Sequence, residues 1–204
     1  MKGLIINDIF SMKKLMKTML VVFVAFGIAW AVMGQAETGA AIIGVLGVTY
    51  LLNLFSYDEF YHWENYVAVL PLSRKQVVLA RYLSFGLTVV VFQLVSVVYL
   101  LITGSLDANG ISTMFGVLLM QIYVGIVLIP VSYKYGTQKG RFIYILLLGL
   151  PFLLVIAASG WISSLEQSSA FDLMGLLGIA VLIMLLLLFV SFRWSVAILS
   201  KKEY

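Results

Sequence analysis

Six long stretches without a charged residue divide the chain. Each is at least 18 residues long, and a helix needs roughly 20 apolar residues to cross the hydrocarbon core of a bilayer. A helix satisfies its backbone hydrogen bonds internally, as lipid requires, whereas barrel strands would alternate in polarity over about 10 residues. The pattern therefore predicts an all-α, polytopic membrane protein, a single transmembrane domain over residues 1–204. Its six transmembrane helices are predicted at residues 18–36, 38–57, 82–104, 111–132, 142–160 and 172–192.

Basic residues lie only in alternate connections between these stretches. All 13 Lys and Arg residues precede the first span, follow the sixth, or lie between spans two and three or spans four and five. The other three connections carry only acidic residues. Since cytoplasmic segments are enriched in Lys and Arg, both termini are predicted to be cytoplasmic. The net charge of +4 therefore reflects membrane topology, and no nucleic-acid partner is predicted.

Composition narrows the chemistry further. Hydrophobic residues make up 63% of the chain and charged residues 11%, against about 25% charged in a soluble domain. The absence of cysteine and the single histidine, His62, exclude thiolate and multi-histidine metal sites within one chain. The chain has no Walker A sequence, so no catalytic residue, metal site or cofactor is predicted here. Any ATP that drives the protein is bound by another polypeptide.

The first 17 residues are predicted to form an amphipathic helix. Ile5, Ile9, Met12 and Met16 recur along one helical face, and lysines lie beside that face. A basic amphipathic helix lies in the headgroup layer with its lysines toward anionic lipid. An ordinary positively charged flank that is helical explains the pattern equally well.

The connection between spans two and three has the most informative pattern. Phe60, Trp63, Val67 and Leu70 form an apolar stripe that predicts a short cytoplasmic surface helix at residues 58–70. Acidic residues cover much of the rest of that helix. It can lie on the bilayer with its aromatic rings in the interface, or it can present its exposed face to a cytoplasmic partner.

A corner and a helix cap follow the predicted surface helix. Pro71 interrupts the helix because proline lacks the backbone N–H. Ser73 and Gln76 have the spacing of a capping box, so a new helix is predicted to begin at Arg74 and to continue into span three.

Three amides are the main polar groups inside the spans: Asn53, Gln93 and Gln121. An amide that faced lipid would cost several kcal/mol. These side chains are therefore predicted to face another helix or a cavity, either in an interhelical hydrogen bond or along a transport pathway.

The connection between spans two and three resembles that of small bacterial ABC exporter permeases of the type-2 family. In that family the motif L-P-[LVI]-S-R-x-x-[IV]-V-x-[AG]-[KR]-Y follows a short coupling helix. The layout of six spans, cytoplasmic termini and an amphipathic N-terminal elbow helix is also similar. The chain resembles in particular the permeases that export phenol-soluble modulins, which are amphipathic bacterial peptides. The matching positions are Leu70, Pro71, Ser73, Arg74, Val78, Ala80, Arg81 and Tyr82.

The resemblance implies the membrane half of an ATP-driven exporter in the bacterial cytoplasmic membrane. Its partners would be an ABC ATPase subunit that binds ATP and Mg²⁺, a second permease copy or a paralogue, and membrane lipid. The cargo would be an amphipathic peptide or another hydrophobic molecule. A non-transporting sensor, immunity or assembly protein explains the six helices equally well, but it does not explain the motif. The residues expected to couple to the ATPase are Asp58, Glu59, Phe60, Tyr61, His62, Trp63, Glu64, Asn65 and Tyr66.

Overall fold

The computed structural model describes residues 2–11, 13–63, 66, 73–166 and 173–201, and this part of the chain contains no strand. The all-α fold class is therefore confirmed. The described helices are α1 (Lys2–Ser11), α2 (Lys13–Val32), α3 (Ala36–Phe60), α4 (Arg74–Thr103), α5 (Ala108–Glu166) and α6 (Leu173–Lys201).

Within the described residues, four helical stretches are long and apolar enough to cross a membrane: Ala36–Phe60, Arg74–Thr103, Ala108–Gly149 and Val181–Lys201. A shorter apolar stretch, Lys17–Val32, lies in α2. These lengths fit a polytopic membrane protein, and the number of six spans stays a prediction.

The N-terminal segment is helical on both sides of residue 12, which lies outside the described residues. Helix α1 covers Lys2–Ser11, and α2 covers Lys13–Val32 and so includes the lysines that precede the first apolar stretch. Lysine is a good helix former, which agrees with its place in α2. The end of the predicted amphipathic helix at residue 17 stays a prediction.

Helix α5 contains two antiparallel arms, which correspond to predicted spans four and five. Its backbone departs from helical geometry at Gly136, where φ is 77° and ψ is 178°. Before this break, Gln121 contacts Gly44 of α3. After it, Tyr144 contacts Thr49 of α3. The chain therefore reverses direction at Gly136, and both arms of α5 run along α3.

Helix α3 lies at the centre of the bundle, between α2, α4 and both arms of α5. Its small residues allow close approach: a Cβ at Gly44 would lie 2.3 Å from a side-chain carbon of Val117 on α5. The hydroxyl of Ser96 on α4 donates to the Ala40 carbonyl at 3.2 Å. The small-residue face of α3 around Ala40 and Gly44 therefore packs within this chain.

Candidate coupling site at the basic end of the bundle

Helix α3 ends three residues beyond the predicted end of span two. Asp58, Glu59 and Phe60 form its last turn and do not begin a separate surface helix. The backbone N–H of Tyr61 donates to the Tyr57 carbonyl at 3.0 Å. His62 then adopts a left-handed conformation with φ 50°, the conformation in which helices often terminate. We call this region, where α3 ends and α4 begins, the basic end of the bundle.

Arg81 of α4 is buried at the basic end, with 6% of its surface exposed. Its Nη2 forms an ion pair with Oδ2 of Asp58, and its Nη1 lies 3.3 Å from Oδ2 of Asp8 on α1. The guanidinium carbon also lies 5.0 Å from the centroid of the Phe55 ring, within the range of a cation–π interaction. One buried cation therefore joins acidic residues from two other helices. We call Asp8, Asp58 and Arg81 the ion cluster.

Asp8 is the member of the ion cluster that the sequence analysis missed. It is 5% exposed, and its Oδ2 also accepts a hydrogen bond from the Ser84 hydroxyl at 2.7 Å. The only available signal was a lone acidic residue in an otherwise apolar and basic N-terminal segment. Through Asp8, α1 is docked on α4 by protein contacts.

Glu59 binds a different neighbour from Asp58. Its Oε2 accepts a hydrogen bond from the backbone N–H of Thr137 at 2.9 Å and another from the Thr137 hydroxyl. Thr137 begins the second arm of α5, directly after the break at Gly136. Since helix N-termini carry unpaired N–H groups and a partial positive charge, the Glu59 carboxylate caps this arm from α3.

Aromatic rings surround the end of α3. Phe60, Tyr61 and Tyr66 are 75%, 61% and 63% exposed. The rings of Tyr57 and Tyr61 are stacked at a centroid distance of 6.2 Å, and the Phe60 ring meets that of Tyr61 edge-on at 5.0 Å. The Trp63 and Tyr66 rings lie 6.3 Å apart. We call Tyr57, Phe60, Tyr61, Trp63 and Tyr66 the aromatic cluster.

The predicted capping box is present at the start of α4. The Gln76 backbone N–H donates to the Ser73 hydroxyl at 3.3 Å, and the Ser73 N–H donates to Oε1 of Gln76 at 3.0 Å. Helix α4 begins at Arg74, as the spacing predicts. Glu64, Asn65 and residues 67–72, which include Pro71, lie outside the described residues.

A family model described as ABC-2 family transporter protein matches residues 3–200. The chain belongs to this family. It is therefore a permease component of an ABC transporter, and its membership implies an ABC ATPase partner. The resemblance to type-2 ABC permeases is confirmed. Comparisons with curated proteins and with solved structures give no match.

The amides inside the spans of the permease contact protein groups. Gln121 is 1% exposed and donates to the Gly44 carbonyl at 2.6 Å. Gln93 donates to Oε1 of Gln121 at 3.3 Å, so these two amides connect α3, α4 and α5. Asn53 donates to the Thr49 carbonyl within its own helix at 3.0 Å. These contacts match the interhelical interpretation for Gln93 and Gln121.

An apolar groove of about 330 Å³ lies between α2, α3 and α4 of the permease, away from the basic end. Its walls include Ile28 of α2, Ile43 of α3 and Val98 of α4. The Tyr99 hydroxyl donates to the Gly27 carbonyl at 2.8 Å, which satisfies the polar end of this ring inside an apolar surface.

Proposed function

We propose that the chain is the permease subunit of an ATP-driven exporter and that a separate ABC ATPase subunit docks on the aromatic cluster. The exposed rings at the end of α3 carry this proposal. Aromatic side chains supply large contact areas and are enriched among the residues that dominate protein–protein binding energy. The basic end would face the cytoplasm, in agreement with the distribution of Lys and Arg.

Two copies of the permease, or this chain and a paralogue, would form the transport pathway in the bacterial cytoplasmic membrane. Two ATPase subunits would bind ATP and Mg²⁺. Their closure would push on the ends of the two α3 helices and reorient the membrane helices.

The proposed cargo is an amphipathic peptide or another hydrophobic molecule. The six charge-free stretches that predict the spans offer no ion-pair partner to a small charged solute. The apolar groove between α2, α3 and α4 supports the same class of cargo. Family membership favours a permease over a non-transporting sensor, immunity or assembly protein.

Co-purification with an ABC ATPase tests the docking surface. Phe60→Asp and Tyr66→Asp place a charge at exposed positions of the aromatic cluster. Met33→Asp is the matched control, because Met33 is 69% exposed at the opposite end of the bundle. The unsubstituted permease and the control should retain an ABC ATPase identified by mass spectrometry.

Each variant of the aromatic cluster should lower ATPase recovery about tenfold or more, since an interface hot spot contributes about 2 kcal/mol or more. Membrane insertion should be unchanged in all of them. Full ATPase recovery with both Phe60→Asp and Tyr66→Asp would disprove docking on this surface.

A further inference from the structure

The two adjacent acidic residues in the last turn of α3 bind different helices. The Asp58 carboxylate pairs with Arg81 two turns into α4, and the Glu59 carboxylate caps the second arm of α5 at Thr137. A single helical turn therefore holds the ends of two neighbouring helices at once. Both residues were predicted to contact the ATPase, and in the structure both carboxylates bind groups of this chain.

Arg81 also connects α1 to α3, α4 and the second arm of α5. Its second amino group lies 3.3 Å from Asp8, which is buried and also accepts a hydrogen bond from Ser84. Helix α1 is thus fixed to the start of α4 by two polar contacts that involve one buried carboxylate. Breaking a buried ion pair leaves an uncompensated charge, so these contacts resist separation.

The position of these contacts matters for any force applied to the aromatic cluster. Phe60 and Tyr61 follow Glu59 directly in the chain and are exposed. A partner that moved these rings would displace the last turn of α3. Because that turn is tied to α1, α4 and the second arm of α5, it could not shift without moving all three.

We propose that Asp8, Asp58 and Glu59 are positioning residues that make the basic ends of α1, α3, α4 and the second arm of α5 move as one body. This inference rests on the proposed function, because it assumes a motor that acts on the aromatic cluster. Asp58 and Glu59 then distribute the movement inside the permease, while the exposed rings bind the ATPase. Through Asp8, α1 takes part in the same movement.

Substitutions that weaken the contacts of Asp8 and Glu59 test the inference without altering the aromatic cluster. Asp8→Asn removes one carboxylate from Arg81, Ser84→Ala removes the hydrogen bond to Asp8, and Thr137→Val removes one hydroxyl from Glu59. Ser84→Ala and Thr137→Val leave no unpaired charge, so they remain informative if Asp8→Asn impairs folding. Glu37→Gln is the control, because it removes an acidic residue from the first turn of the same helix, α3.

The readout is the movement at the far end of the bundle. The chain has no cysteine, so Met33→Cys and Leu106→Cys provide unique positions for a pair of spin labels. Both side chains are exposed, and both lie at the end opposite to Asp58. The distance between the labels is measured by pulsed electron paramagnetic resonance in the complex with its ATPase, without nucleotide and with ATP and vanadate.

The unsubstituted complex and Glu37→Gln should show a nucleotide-dependent change in this distance. Asp8→Asn, Ser84→Ala and Thr137→Val should bind the ATPase normally and hydrolyse ATP, but the distance change should fall at least twofold. A purely structural role would lower Tm and leave the distance change intact.

Three results distinguish a failure of this inference from a failure of the proposed function. A full distance change in all three variants would overturn the inference and leave the proposed function standing. An unsubstituted complex that binds the ATPase but shows no distance change would also overturn it. Failure of the unsubstituted permease to bind an ABC ATPase would instead remove the proposed function.

Discussion

Arg81→Met removes the cation of the ion cluster and keeps a long, unbranched side chain. The guanidinium is surrounded by the Phe55 ring and the carboxylates of Asp8 and Asp58. The side chains of Arg81 and Asp8 are only 7% and 6% exposed, and that of Asp58 is 16% exposed. After the substitution, two acidic residues would share a poorly hydrated space without their common partner.

The expected cost follows from this burial. Removing one partner of a buried ion pair destabilises proteins by about 3–5 kcal/mol, mostly because the remaining charge is uncompensated. For a chain of this size, 1 kcal/mol shifts Tm by about 2–4 °C. Arg81→Met should therefore lower the Tm of the purified permease by about 6–20 °C.

Thermal unfolding in detergent, followed by tryptophan fluorescence, measures this shift. Arg193→Met is the matched control, since Arg193 is exposed on α6, and exposed substitutions usually change stability by less than about 0.5 kcal/mol. A loss below about 2 °C for Arg81→Met, equal to that of the control, would contradict a buried ion cluster.

A second substitution in the Arg81→Met background sharpens the test. Asp8→Asn should lower Tm in the unsubstituted permease, because it breaks an ion pair. It should have no effect or raise Tm in Arg81→Met, because it removes an unpaired buried carboxylate. Equal losses in both backgrounds would show that Asp8 and Arg81 do not interact.

Three further substitutions test other contacts by the same Tm measurement. Gly136→Ala should lower Tm by about 2–12 °C, because φ 77° with ψ 178° is a combination that costs a residue with a Cβ about 1–3 kcal/mol. An unchanged Tm would argue against this backbone conformation. Gly125→Ala should destabilise the permease by about 1–3 kcal/mol, because its Cβ would lie 2.2 Å from the Phe85 ring. Gly116→Ala is its control and should not lower Tm, because a Cβ at Gly116 has no neighbouring atom within 4 Å. Equal effects of the two substitutions would refute close packing between Gly125 and Phe85. Gln121→Leu should cost about 0.5–1.5 kcal/mol, because it removes an interhelical hydrogen bond to a buried carbonyl of α3. A Tm at or above that of the parent would contradict this contribution.

The charge-free stretches correctly predicted an all-α membrane protein but located the helix ends less well. A charged residue ends a charge-free run, so the second span was predicted to stop before Asp58. The helix itself continues through Asp58 and Glu59, because each carboxylate has a partner on a neighbouring helix. Helix α4 was located correctly because its start depends on the local spacing of Ser73 and Gln76.

Contacts between distant residues could not be read from local patterns. Asp8 and Arg81 lie far apart in the sequence, and neither periodicity nor spacing connects them. In the sequence, Arg81 contributed only to the distribution of basic residues and to the family motif. Neither distinguishes it from the other cytoplasmic Lys and Arg residues. Its burial becomes visible only when α1 and α3 are placed beside α4.

The reversal at Gly136 was hidden for a different reason. Gly136 is one of 17 glycines in the chain, most of which lie inside helices. What distinguishes it is a positive φ and the Glu59 carboxylate that caps the following arm. The residue type shows neither property. The sequence therefore does not distinguish a glycine at which the chain reverses from a glycine that permits close helix packing.

The end of α3 carries two sets of side chains, both of which were predicted to bind the ATPase. Its acidic side chains bind the chain's own helices, and the aromatic side chains that follow are exposed. The two sets of substitutions should therefore give different defects. Changes at Phe60 or Tyr66 should weaken ATPase binding about tenfold or more without lowering Tm, since exposed rings contribute little to the core. Changes at Asp8 or Thr137 should preserve ATPase binding and weaken the response of the far end of the bundle. A shared defect in both sets would mean that binding and transmission depend on the same atoms, which the different contacts of the two sets argue against.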